Sequence, residues 1–156
     1  PPRSTLFPYT TLFRSMNIAG IDPGLKGGIV ITNTNGKPIA VYPMPLKRKR
    51  LNLGELQTII ISHNVELAII EKAFKDGKCN ACKTEAVFEL CGVPILKYHP
   101  RTWQTILPDG DGKQRAYDFC LANNLPVPVN KNGRFHDGIA DAWGIVSYYL
   151  QEMRRV

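Results

Sequence analysis

The sequence predicts one α/β domain built on a mixed β-sheet flanked by α-helices. Three observations predict it: short β-branched runs joined by turn residues open the chain, an almost wholly apolar run VELAIIE lies at 65–71, and helical periods alternate with strand-like runs beyond it. At 156 residues and 44% hydrophobic content, the chain can bury a core of ordinary size.

The first segment, PPRSTLFPYTTLFRS at 1–15, contains three prolines and keeps neither a helical nor a strand period. Residues 5–15 resemble the translation of a sequencing adaptor, so 1–15 is read as a non-native or disordered leader and 16–156 as the domain. From Asn17 the runs IAGID, GGIVIT and KPIAVYP are separated by Pro23-Gly24 and by the turn Asn33–Gly36, which predicts three strands joined by hairpins. Leu51–His63 has apolar residues at or near 53, 56, 59, 60 and 63, and predicts an amphipathic helix behind a basic loop at 47–50. VELAIIE reads as a strand covered on both faces and ending at Glu71. Residues 83–91 predict a helix, VPILKY at 93–98 a strand, and Pro100–Leu107 a short helix. Helices at Lys113–Asn123 and Asp137–Arg154, separated by the loop LPVPVNKNGRFH, complete the domain, and neither a repeat nor a second-domain boundary is visible.

The formal charge of +7 and pI near 9.4 favour a polyanionic partner, nucleic acid first among them. Leaving out Arg3 and Arg14 of the leader lowers the charge only to +5. The four cysteines, with no secretory segment beside them, read as reduced thiols of a cytoplasmic protein. Cys79-x-x-Cys82 lacks a second ligand pair at a zinc-site spacing, and the longest apolar stretch, 139–150, is too short to span a membrane and contains Asp141.

Three carboxylates mark the ends of elements distant in sequence. Asp22 closes the first strand before Pro-Gly, Glu71 closes the VELAIIE strand, and Asp141 lies in the first turns of the last helix, with Asp137 one turn earlier on the same face. If the two strands are neighbours and the last helix crosses them, the acids converge. Converged carboxylates raise one another's pKa unless a cation neutralises them, and Mg2+, with Mn2+ as substitute, is the fitting ion for an all-oxygen set. Two such ions roughly 3.5–4 Å apart can stabilise the attacking and departing oxygens of phosphodiester hydrolysis. Three of the acids also have a structural use, Asp22 as a turn residue, Glu71 as a partner of Lys72 and Asp137 as the N-cap of the last helix, whereas Asp141 lies among apolar neighbours at 140, 142, 144 and 145 that argue against a purely solvated residue.

The segments GIDPG (20–24), AIIEKAF (68–74) and HDGIADAW (136–143) resemble, in order, the three signature regions of the RuvC-like Holliday junction resolvases. The resemblance spans Asn17 to the C-terminus, and the short, basic, cysteine-containing chain is most similar to phage-encoded members. It implies a ribonuclease H-like fold and a homodimer that binds four-way DNA junctions and nicks two strands symmetrically. It makes Asp22, Glu71 and Asp141 metal-binding acids. The family often carries a fourth acid or a histidine three residues before the last aspartate, where this chain has Gly138; Asp137 or His136 could take that role through a shifted helix start. Phe74, three residues after Glu71, stands where similar resolvases stack an aromatic on a base at the junction centre, though it also suits a core.

Two basic groups could track phosphates: Lys47, Arg48, Lys49 and Arg50, which also suit a solvated loop, and Lys72, Lys75, Lys78 and Lys83, which adjoin the proposed metal site. Lys113 and Arg115 follow GDG in the region where the resemblance places a lysine near the scissile phosphate. Other readings are a nuclease of the same fold acting on flaps, forks or RNA–DNA hybrids, and a non-catalytic junction-binding module, which would be expected to have lost its acids. A sugar-kinase-type ATPase would need a second glycine motif and a longer chain.

Overall fold

The computed structural model describes residues 15–73 and 78–156. Among these residues seven strands and five helices follow one another as β1 (Asn17–Asp22), β2 (Gly28–Asn33), β3 (Pro38–Pro43), β4 (Leu46–Lys47), β5 (Arg50–Leu51), α1 (Leu53–Ser62), β6 (Val65–Glu71), α2 (Lys78–Leu90), β7 (Ile95–Tyr98), α3 (Pro100–Trp103), α4 (Gly112–Ala122) and α5 (Asp137–Arg155). A 3-10 turn, Gln104–Ile106, follows α3 directly. The main sheet has the order β3-β2-β1-β6-β7. The three opening strands form the expected antiparallel meander, while β6 lies parallel to β1 and β7 parallel to β6. The sheet is mixed, as the order of predicted elements required.

Alternation along the strands divides the core in two. Ile18, Val30, Leu67 and Ile69 face α5, α4 and α3, packing with Trp103, Phe119, Ile139, Trp143 and Val146. Ala19, Ile21, Ile29, Ile31, Ala68 and Ile70 face α1 and α2, packing with Leu56, Ile60 and Phe88. Because side chains on a strand repeat every second residue, Asp22 continues the face of Ile18 and Gly20, and Glu71 that of Leu67 and Ile69. Both acids are therefore carried to the α5 side of the sheet by strand parity alone.

Several expected boundaries shift. The helix expected at 83–91 begins at Lys78, and the strand expected at 93–98 is confined to Ile95–Tyr98, with Val93 buried before it. Pro100–Leu107 divides into α3 and the 3-10 turn, with His99 as cap and Pro100 at the helix start. The loop expected at 47–50 is a small separate hairpin, β4–β5. On α1, Leu56, Ile59 and Ile60 are buried as the period required, whereas Leu53 is exposed and His63 caps the helix and meets the Tyr42 hydroxyl at 2.7 Å. Among the described residues no helix is long and apolar enough to cross a membrane.

Candidate active site

The parallel pairing of β1 with β6 aligns Ile21 with Ile70, so Asp22 and Glu71 stand one residue further along adjacent strands. The N-terminal half of α5 lies across that edge, and its approach depends on missing side chains. A Cβ on Gly20 would lie 2.5 Å from the Ala142 carbonyl oxygen, and one on Gly138 2.4 Å from the Gly27 Cα. Both distances are shorter than a real contact allows, so glycine at these positions lets α5 press onto the β1–β2 edge. Asp141, one turn beyond Gly138, is thereby brought to Asp22 and Glu71.

The electrostatics report the same convergence. Burial pushes Asp141 up to about 7, with the charges of Asp22, Glu71 and Asp137 adding to the effect and Lys113 opposing it. Burial likewise pushes Glu71 up to about 7, against a hydrogen bond from Trp103 and helped by the Asp22 charge. Asp22 is also raised by burial, with the Gly24 N–H, His136 and Lys113 pulling the other way. Three half-buried carboxylates, of which Asp22 opposes the ionisation of the other two and Glu71 that of Asp141, form a cluster short of positive charge.

Hydrogen bonds distinguish the acids. Asp22 Oδ1 accepts the Gly24 N–H at 3.2 Å, the turn role expected of an aspartate before Pro-Gly. Glu71 Oε2 accepts the indole N–H of Trp103 at 2.8 Å. This corrects the alternative pairing of Glu71 with Lys72: Lys72 is exposed and, one residue on, falls on the opposite face, where it lines a recess with Ala81, Cys82, Glu85 and Lys97. Asp141 receives no hydrogen bond from a described residue and opens onto a cleft lined by Gln104, Leu107, Gly112, Lys113 and Arg115. Arg115 is held at that cleft by hydrogen bonds to the carbonyls of Pro108 (2.7 Å) and Gln104 (3.3 Å).

Asp137 does not cap α5. His136 does, its Nδ1 accepting the Ile139 N–H at 3.2 Å, and Asp137 is the first residue of the helix. Asp137 turns outward to form an ion pair with Lys113, whose pKa is raised mainly by that hydrogen bond and charge. The pair stands at the rim of the cleft above Asp141. Gly138, three residues before Asp141, is buried against Gly27, and a side chain could not fit there.

Among the described residues, no three Asp, Glu, His or Cys side chains stand close enough together to grip a single ion. The chemistry of the set nevertheless fits a hard cation: every donor is a carboxylate oxygen, and Asp141 accepts no hydrogen bond from a described residue. Lys83 is exposed on α2, and Lys78 is placed only as that helix's first residue. Phe74 and Lys75 lie outside the described residues. Cys79 and Cys82 are exposed free thiols, and Cys120 is buried.

Trp103 is the partner of the acid cluster that the sequence did not single out. A tryptophan in a four-residue helix has no period to single it out, and only the tertiary contact with Glu71 gives it a place.

No protein-family profile and no curated protein matches the chain. Solved structures do. Thermus thermophilus RuvC superposes with a TM-score of 0.62 at 17% identity, covering 88% of this chain and 97% of its own. The fowlpox virus resolvase in complex with substrate Holliday junction DNA gives 0.62 at 14% identity, covering 88% and 99%. The yeast mitochondrial Holliday junction resolvase gives 0.58 at 13% identity, covering 90% and 81%. The chain thus has the α/β ribonuclease H-like fold that these resolvases share.

Proposed function

We propose that this protein is a structure-specific endonuclease that resolves four-way DNA junctions by metal-dependent phosphodiester hydrolysis. The observation that carries this reading is the convergence of Asp22, Glu71 and Asp141 on one sheet edge, with Glu71 and Asp141 both pushed up to about 7. A purely structural acid cluster would be expected to sit on compensating arginines or lysines; here the lysine whose charge acts on Asp22 and Asp141, Lys113, is engaged by Asp137.

Asp22, Glu71 and Asp141 would hold Mg2+, or Mn2+ in its place, with Asp137 as a further oxygen donor at the rim. The ion would supply an activated water and charge neutralisation at the phosphate. Trp103 holds the Glu71 carboxylate in one orientation and favours its ionised form. Lys113 and Arg115, at the mouth of the cleft, can take a phosphate oxygen and offset charge that builds up in the transition state. The net charge of +7 draws the polyanion in. Two symmetric nicks need two such sites, so the active unit is read as a homodimer. The resolvases that share this fold at nearly their full length support the four-way junction as substrate.

The test is to incubate the protein and Mg2+ or Mn2+ with labelled four-way, three-way, flap and linear DNAs. Paired symmetric nicks confined to the four-way substrate are expected. Preferential cutting of flaps or forks would reassign the substrate, and junction binding without cleavage would leave a binding module.

A further inference from the structure

Four consecutive cations, Lys47, Arg48, Lys49 and Arg50, occupy a feature of the fold that the acid cluster does not use. They form the small hairpin β4–β5, in which Leu46 pairs with Leu51 and Lys47 with Arg50. Arg48 and Lys49 are its two turn residues, and both take left-handed backbone, with φ of 50° and 60°. A two-residue turn of this kind is ordinarily Asn-Gly, because left-handed backbone costs other residues on the order of 1 kcal/mol each. Two long cationic side chains therefore stand where turn chemistry disfavours them. All four residues are exposed, and none forms an ion pair with a described residue; the nearby Glu55 accepts from Asn52 instead. Like charges held on one short hairpin repel one another, and a bound polyanion would relieve that repulsion.

The hairpin is anchored at its base. The Asn52 N–H donates to the Pro45 carbonyl at 2.8 Å, and Asn52 then caps α1 through the Glu55 N–H at 3.3 Å. Met44, buried, donates its N–H to the Gly27 carbonyl at 3.0 Å, and Gly27 lies against Gly138 at the start of α5. The arm therefore leaves the fold from the sheet edge that carries Asp22. Gly28 pairs with both Asp22 and Pro43, so Pro43 lies two strand spacings, about 10 Å, from Asp22. At about 3.3 Å per residue beyond Pro43, the hairpin tip lies on the order of 20 Å from the acids.

We infer that the β4–β5 hairpin is a basic arm that grips the sugar-phosphate backbone of one duplex arm of the branched substrate. Laid along a duplex axis, the span from the acids corresponds to about six base pairs at 3.4 Å of axial rise each, so the contact falls about six base pairs from the scissile phosphate. The inference rests on the nuclease reading above. Charge complementarity and the shared sheet edge commit the arm to the same nucleic acid that the acids would cut.

The test compares the full chain with R48N/K49G and K47Q/R50Q, binding a four-way junction without divalent metal over a range of salt concentrations. R48N/K49G removes two cations and installs the pair that the turn prefers, so the hairpin and the melting temperature should be retained. The slope of log affinity against log salt should become shallower by about 1.8 for each double variant, at about 0.9 per lost phosphate contact. Neutral methylphosphonate linkages placed five to seven base pairs from the scissile phosphate should weaken wild type and leave the combined four-residue variant unaffected. A wild type and variants with the same slope and the same methylphosphonate response would overturn the arm while leaving the nuclease reading intact. A wild type that binds no branched DNA would overturn both.

Discussion

Trp103 donates its indole N–H to Glu71 at 2.8 Å, from a ring that is 1% exposed and packed against Gly144 so closely that a Cβ there would lie 2.5 Å from it. A short helix after β7 thus fixes the end of β6, and α5 fixes that helix in turn. Trp103→Phe should keep most of the ring packing and lose the hydrogen bond. Its loss favours the protonated Glu71, which competes with a metal. Because a hydrogen bond to a charged group contributes about 1.5–3 kcal/mol, the Mg2+ concentration for half-maximal cleavage should rise on the order of tenfold. Metal titration of the cleavage rate checks this, with DNA affinity in EDTA as control; an unchanged metal requirement would remove Trp103 from the site.

Stability of the metal-free protein should fall as pH rises through 7. Glu71 and Asp141 have folded-state values of about 7, above their ordinary 4.5 and 3.8. Between those limits the folded state binds more protons than the unfolded one, so unfolding free energy decreases with pH. The stabilising protonation is complete below pH 4 and lost above about 7. Thermal melts in EDTA should show a lower Tm at pH 8 than at pH 5, and Mg2+ should raise Tm at pH 8 more than at pH 5.

Asp141→Asn and Glu71→Gln should each abolish cleavage in Mg2+ and leave junction binding in place. Each removes a charge from a crowded group, so the metal-free variants should also melt a few °C higher than wild type at pH 8. Loss of folding in these variants would instead assign the acids a structural role.

Gly138→Ala should separate α5 from the β1–β2 edge, since its Cβ would lie 2.4 Å from the Gly27 backbone. A cost of about 1–3 kcal/mol in denaturant unfolding is expected. Cleavage should fall well beyond that loss, because Asp141 moves away from Asp22. Gly92→Ala is the control: its φ of 71° makes a side chain strained, yet nothing lies within 4 Å. It should lower stability and leave cleavage unchanged.

The fold was legible because the strands carry their own period and the turns their own chemistry. Strand parity, already present in IAGID and VELAIIE, places Asp22 and Glu71 on one face, and the DGIADAW pattern places Asp141 on the helix that covers it. Long-range contacts were not legible. Trp103 meets Glu71 across 32 residues, and Lys113 meets Asp137 across 24, with no local pattern to pair them. The N-cap fell one residue before the expected Asp137 because a histidine side chain can also accept a helix N–H. The basic hairpin is not visible in the sequence, since Arg-Lys is an uncommon turn pair and no propensity argues for left-handed backbone there.

Anomalous diffraction from a Mn2+-soaked crystal most directly tests whether the three acids share a divalent ion. Manganese peaks bridged by the Asp22, Glu71 and Asp141 carboxylates are expected, with Glu71 still accepting from Trp103. Well-ordered carboxylates with no manganese between them, in crystals of a protein that cleaves junctions in Mn2+, would contradict it.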